Sequence, residues 1–207
     1  MANLDLKQTY KALYAPSAKT VSVVDVPPLS YLMIDGRGDP NTVPRYAEAV
    51  QALYAMAYAI RFMRKDEGEV FTVMPLEGLW WFDGEPIHDF TLNLGDKDRF
   101  IWTMMILQPE SVTPELVERA REKAIKAKGQ GLLGDVRFER YEEGEAAQIL
   151  YFGPYADEGP TIARLHECIE GNGWSLRGKH HEIYLNDPRK VPPEKMKTII
   201  RQPFARG

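Results

Sequence analysis

The chain has 207 residues, and 26 Lys+Arg against 30 Asp+Glu leave a formal net charge of −4. With 44% hydrophobic and 27% charged residues it has the composition of a folded globular protein, which excludes wholesale disorder, and its apolar runs are broken by charges before the roughly 20 residues that cross a bilayer. The slight acidity argues against unaided nucleic-acid binding, which needs a basic face, and the lone Cys168 excludes an intramolecular disulfide and a cysteine-based zinc cluster.

The N-terminus, Met1 to Lys7, lacks the basic-then-apolar order of a signal peptide, so cytoplasmic residence is expected. Residues 4–14, with Leu4, Leu6, Tyr10, Leu13 and Tyr14, read as a short helix or arm ended by Ala15-Pro16-Ser17. Val21 to Val26 reads as a strand, Pro27-Pro28 turns the chain, and Leu29 to Asp35 reads as a second strand closed by the breakers Gly36 to Pro40. From Val43 the period becomes helical: Tyr46, Val50, Leu53, Tyr54, Ala57 and Ile60 recur on one side, with Pro44 in the first turn. This helix is apolar most of the way round, which predicts that it is well buried.

Val70 to Phe82 and Phe100 to Leu107 read as strands separated by a polar, loop-like stretch from Asp83 to Arg99. A helix is predicted from about Pro114 to Lys128, with Thr113 as N-cap, Glu115 and Glu118 near its start, lysines near its end and Gly129 as its stop. Val136 to Glu142 and Glu145 to Phe152 then read as a hairpin about Glu143-Gly144. A helix with Pro160 near its start and the stripe Ile162, Leu165 and Ile169 follows, and Gly178 to Leu185 and Met196 to Gln202 read as the last strands.

The order is β-β-α-β-β, a linking helix at about 114–128, then β-β-α-β-β, so the chain reads as one domain over 1–207 made of two pseudo-repeat halves, about 20–108 and 135–203. The expected fold class is α+β: the strands of both halves join edge to edge in one antiparallel sheet, helices cover one face, and a ligand cleft lies on the other. Side chains alternate along a strand. Between Gly178 and Leu185, His181, Ile183 and Leu185 share a face suited to the helix-covered core. His180, Glu182 and Tyr184 share the other, which puts a carboxylate between a His and a Tyr. In the first half Glu77, Leu79 and Trp81 share one face, and Leu76, Gly78 and Trp80 the other. A strand Glu beside large rings has its charged form disfavoured by lost hydration unless a donor compensates. Such a group can bind a cationic or polar aromatic ligand, or act as a general base; the alternative is a solvated strand Glu whose aromatic neighbours only pack.

Pro75-Leu76-Glu77-Gly78-Leu79-Trp80-Trp81, Tyr151-Phe152-Gly153-Pro154-Tyr155 and His180-His181-Glu182-Ile183-Tyr184-Leu185 resemble the GyrI-like small-molecule-binding proteins. The opening Asp5 to Ser17, Val24 to Pro28 and the tail Asn186 to Thr198 resemble stand-alone members of that group, so the likeness covers nearly the whole chain. It implies a tandem β-β-α-β-β fold with a ligand cleft between the halves. It also implies binding of flat amphipathic molecules, with a buried Glu at the position of Glu182 that meets cationic drugs in the sensor members. Some stand-alone members look like hydrolases that open the activated cyclopropane of DNA-alkylating compounds. About twenty residues precede the first strand, too few for a helix-turn-helix module with its own core, which favours the stand-alone members.

On that resemblance Glu182 is the expected general base, and Tyr151 or Tyr184 the donor to the carboxylate or to the ligand oxygen. Trp80, Trp81, Trp102 and Tyr155 are the expected stacking walls, His180 a ligand-side neighbour, and Glu77 the pseudo-equivalent carboxylate. Each has a packing alternative: Trp80 and Trp81 point to opposite sides, Trp102 suits a pure core position, and Tyr151 can point either way. No cofactor and no metal are expected: adjacent His180 and His181 point oppositely, and His88 and His166 have no evident partner. Cys168 reads as an inert thiol on a helix. The expected partner is a small aromatic or amphipathic molecule, with no membrane and no direct nucleic-acid contact, and nothing in the sequence specifies an oligomer. A binder or sensor without chemistry is the alternative function, and a protein-inhibitory module ranks third.

Overall fold

The computed structural model describes residues 3–84 and 95–207; the expected loop over Asp83 to Arg99, His88 included, falls largely outside them. An N-terminal arm carries a two-residue strand β1 (Asn3–Leu4) and two single turns of helix, α1 (Leu6–Thr9) and α2 (Lys11–Tyr14). The first half follows as β2 (Ser22–Val26), β3 (Leu29–Arg37), α3 (Pro44–Asp66), a short β4 (Val70–Phe71), β5 (Leu76–Phe82) and β6 (Phe100–Leu107). The linking helix α4 (Pro114–Lys128) precedes β7 (Arg137–Tyr141), β8 (Gly144–Phe152), α5 (Gly159–Gly171), β9 (Trp174–Leu176), β10 (His180–Tyr184) and β11 (Lys197–Arg206). Thr113 caps α4 by accepting from the Leu116 amide, and Pro114 opens its first turn, so that helix begins and ends where its sequence signals lie. Pro75, which no central strand tolerates, splits the single strand expected over Val70 to Phe82 into β4 and β5.

Among the described residues nine strands form one sheet in the order β2-β8-β11-β10-β5-β6-β3-β7, with β9 added to β11. The fold is α+β, and the halves join edge to edge as expected, through antiparallel β10 and β5 at the centre. The hairpin expected about Glu143-Gly144 does not form. Instead β7 pairs with β3 of the first half, while β2 of the first half pairs with β8 of the second. Each half therefore gives its first strand to the other. Two local causes are visible. Pro27-Pro28 separates β2 from β3, and Glu143, far from capping an exposed turn, is buried and held by His181 and Arg201, which carries the chain across instead of back.

Cross-strand pairs fix the faces. Glu182 pairs with Gly78, and His180 with Trp80, whereas Glu77 pairs with Ile183 and His181 with Leu79. His180, Glu182 and Tyr184 therefore share a face, as the alternation predicted. The helices take the opposite side to that expected, however. Tyr46 of α3 packs on Trp80 and Trp102, and His166 of α5 lies against His180 and Gln202, so both helices cover the Glu182 face. The cleft consequently lies on the helix side of the sheet, between α3 and the start of α5, and not on the bare face. The apolar circumference of α3 has a matching explanation. Ala49, Leu53, Met56 and Ile60 fill the core, while Tyr58 and Phe62, 47% and 49% exposed, border the groove. Among the described residues no helix is long and apolar enough to cross a membrane.

The other face is closed by the N-terminal arm. Glu77, Glu143, His181 and Arg201 are all buried there. His181 bridges the two carboxylates, Nδ1 to Glu143 Oε1 at 2.8 Å and Nε2 to Glu77 Oε2 at 3.0 Å. Arg201 donates to Glu143 Oε2 at 3.0 Å and to the Leu13 carbonyl at 2.9 Å, and the Tyr14 hydroxyl donates to Glu77 Oε1 at 2.6 Å. Gln148 joins them, accepting from Arg201 and donating to the Ala12 carbonyl. Paired in this way, two acids and two bases tolerate burial that none would tolerate alone.

Candidate functional site

The groove encloses about 2130 Å³. Its floor is the sheet centre, with Leu76 and Trp80 from β5 and Glu182 and Tyr184 from β10; one wall is α3, with Tyr46, Tyr54, Tyr58 and Phe62, and the other is the segment 154–160 that leads into α5. Along α3 the rings of Tyr54, Tyr58 and Phe62 follow one another four residues apart, with centroids 6.4 and 6.2 Å apart and planes tilted by 31° and 30°. On the far wall Tyr155 meets Tyr184 edge to face at 5.4 Å.

Glu182 is 7% exposed at the bottom of this groove. Its neighbour on the strand, Tyr184, accepts from the Trp80 indole N–H at 3.0 Å, which turns the phenol O–H toward the Glu182 carboxylate. Gly78 makes this possible. It lies opposite Glu182 in the ladder, and a Cβ there would come within 2.7 Å of the indole nitrogen and 3.1 Å of the Tyr184 oxygen. On the other side the His180 Nε2 stands 3.3 Å from Glu182 Oε1.

Facing Glu182 across the groove floor is Glu158, the residue before α5, also buried. Burial, then the charge of Glu182, push the Glu158 carboxyl up to about 11, and its proton is shared with Glu182 in a hydrogen bond. Burial also opposes ionisation of Glu182, but the His180 ring, followed by the Tyr184 and Glu158 donors, outweighs it and holds that carboxyl below the ordinary range. Two acids in one hollow thus carry one proton between them, and the environment assigns it to Glu158. Glu158 Oε2 is buried and has no hydrogen-bond partner among the described residues.

The residues singled out from the sequence lie in different places. Glu182, Tyr184, Trp80 and Tyr155 line the groove, and His180 lies wholly buried behind Glu182. Trp102 is fully buried under Tyr46 and donates to the Gly38 carbonyl at 3.3 Å. Tyr151 donates to the Pro154 carbonyl at 3.1 Å and does not border the groove. Trp81 and Glu77 are on the opposite face, Trp81 under the Lys179 ammonium at 3.4 Å and Glu77 inside the arm-covered cluster, so neither meets a ligand of the groove. Cys168 is half-buried on α5. Glu158 and the α3 rings were not singled out as site residues. Glu158 sits in a polar turn without periodicity; the α3 rings were visible as the second apolar side of a helix that needs only one.

The family described as the GyrI-like small molecule binding domain matches residues 19–204. The chain belongs to the GyrI-like family. Among similar solved structures, an uncharacterised conserved protein from Listeria innocua is 40% identical, with a TM-score of 0.89 over 98% of this chain and 100% of that one. A hydrolase encoded by lin2189 of Listeria innocua is 39% identical, with a TM-score of 0.87 over 99% and 100% of the two chains. A third structure, described as a hydrolase from the same organism, is 39% identical at a TM-score of 0.85 over 98% and 100%. The EcmrR C-terminal domain, 12% identical with a TM-score of 0.55 over 91% of this chain and 98% of that one, shares the fold alone. Comparison with curated proteins finds no match.

Proposed function

We propose that this GyrI-like protein takes flat, amphipathic aromatic molecules into the groove and hydrates activated cyclopropanes carried by genotoxic electrophiles, with Glu182 as general base. The observation that carries this reading is the buried pair of Glu182 and Glu158 facing each other beneath aromatic walls. The hydrolase descriptions of two Listeria innocua relatives support it.

The chemistry follows from where the proton sits. The ionised Glu182 takes a proton from a water as the water oxygen bonds to the ring methylene. The strained C–C bond breaks, and its electron pair flows into the conjugated dienone, which becomes a phenolate. Glu158, which lines the groove beside Glu182, delivers its proton to that oxygen. The proton gained by Glu182 then passes through the hydrogen bond to Glu158, which restores the starting state with one water added. General-base assistance of this kind is worth about 10²–10⁴-fold. The groove rings supply apolar area for a flat substrate and exclude bulk water.

The test is to incubate the purified protein with a cyclopropane-bearing DNA alkylator and follow the gain of one water by mass spectrometry. Protein-dependent hydration, lost in Glu182→Gln with the fold retained, is the expected result. No protein-dependent gain overturns the catalytic reading. A second reading, binding without turnover, is favoured by the size of the groove, which exceeds the roughly 300–1,000 Å³ of most ligand pockets. Under it ligands are recovered unchanged, and Glu182→Gln weakens cationic dyes more than neutral ones.

A further inference from the structure

Two like carboxyls in one hollow hold a single proton, but a base is useful only if the proton stays on its partner. With equal surroundings the proton divides between the two, and the base is disabled in half the molecules. The surroundings here are unequal. Glu182 is faced by His180 and Tyr184 from its own strand β10, by Tyr46 from α3, and by Tyr155 and Glu158 from the segment before α5. Glu158 is faced by Glu182 and more remotely by Lys97. Tyr184 and His180 therefore act on the same acid, and of the two His180 is the stronger influence.

His180 is placed for this and for no direct contact with a ligand. It is wholly buried, does not line the groove, and comes from two residues before Glu182 on the same face of β10. His166 of α5 closes on it from behind, with its own ring kept neutral by burial, then by His180, which push it down to about 4. A wholly buried ring with a carboxylate oxygen at 3.3 Å has little freedom to swing away.

We propose that His180 is the positioning residue of the carboxyl pair: carrying a proton on Nε2, 3.3 Å from Oε1 and beneath the groove floor, it holds Glu182 as the carboxylate and leaves the shared proton on Glu158. The inference rests on the reading of Glu182 as the base and deepens it. His180 touches neither substrate nor water; it acts through Glu182. The neighbouring His181, one position on and therefore on the opposite face, serves the arm-covered cluster and has no part in this.

The test uses the full chain without any ligand. Long-range proton–nitrogen NMR on histidine-labelled wild-type protein reads which nitrogen of His180 bears hydrogen at pH 7. The expected result is hydrogen on Nε2; a bare Nε2 overturns the proposal, and no variant is needed to decide it. Carbon NMR on glutamate-labelled protein then follows the titration of Glu182, assigned by the signal lost in Glu182→Gln. In folded His180→Leu the Glu182 midpoint is expected to rise by about one pH unit or more, a tenfold gain in proton affinity, and an unchanged midpoint overturns the role. A purely structural His180 would not move it. Where turnover is measured, His180→Leu lowers kcat and raises the acid limb of the pH profile with KM held. Should Glu182→Gln leave hydration intact, the base assignment falls while the NMR result still decides the pairing of His180 with Glu182.

Discussion

Trp80 and Trp102 stand directly opposite each other on β5 and β6 and share one face of the sheet, yet only Trp80 borders the groove. Trp102 lies flat over Gly36 of the next strand with Tyr46 edge-on at 5.2 Å, so its ring is roofed by α3 while that of Trp80 reaches past the helix. Of the four tryptophans, Trp80 is therefore the reporter of ligand entry. Quenching of tryptophan fluorescence by a flat cationic dye is expected to persist in Trp81→Phe and to fall by more than about half in Trp80→Phe, since close contact governs the effect. Equal loss in both variants would place the dye elsewhere.

The seat of Trp102 depends on Gly36 having no side chain. A Cβ at that position would fall 2.1 Å from the indole ring, against a residue that is fully buried. Overpacking of this kind costs about 1–3 kcal/mol. Gly36→Ala is expected to lower the urea midpoint accordingly, with no direct effect on Glu182 because the ring it displaces does not line the groove.

Glu158 makes the site costly to fold at neutral pH. Its folded carboxyl is raised from an ordinary 4.5 to about 11, so its contribution to stability is complete below pH 4.5 and is lost progressively as pH rises toward 11. Glu158→Gln imitates the protonated side chain and has no such loss. The variant is expected to be more stable than the wild type at pH 8, by on the order of a few kcal/mol, with the gap narrowing toward pH 4.5. It keeps the ability to donate to Glu182, so dye binding is expected to survive while hydration is lost. Unfolding curves at a series of pH values read the first effect, and a difference that grows toward low pH would contradict the assignment of the proton.

The arm-covered cluster carries the opposite sign. Burial opposes ionisation of Glu143, but His181, then Arg201, outweigh it and bring the carboxyl down to about 2. That stability is present above the ordinary 4.5 and is lost as pH falls through 2. Removing one member of a buried ion cluster leaves its partners uncompensated and costs about 3–5 kcal/mol. Glu143→Gln is expected to lose that much at pH 7 and to show a flatter acid limb between pH 4.5 and 2. A loss below about 1 kcal/mol would mean that the cluster relaxes or takes up water.

How far the sequence carried this picture differs from element to element. Phe100–Leu107 and Pro114–Lys128 fall where their periodicity and capping residues put them, because those signals are local. The shared face of His180, Glu182 and Tyr184 was likewise legible, since alternation is a property of any strand. Alternation does not say which side a helix will cover, and that side was assigned in reverse. It does not choose a partner strand either: the exchange of β2 and β7 is decided by contacts more than a hundred residues apart, such as Ser22 with Gln148. Glu158 escaped notice because a residue in an irregular turn has no period, and its character comes wholly from facing Glu182. Glu77 shows the converse. It has the same local surroundings of Gly and Trp as a groove residue, but the arm and His181 occupy its face.

The exchange of first strands also makes the duplication indivisible. A polypeptide cut in the linking helix α4 yields one fragment that keeps β2 but not β8, and another that keeps β7 but not β3. Each carries an orphaned segment whose template, among the described residues, is in the other piece. Neither fragment is a smaller edition of the whole. The two can regain the sheet only as complementary partners, each threading its leading strand into its counterpart.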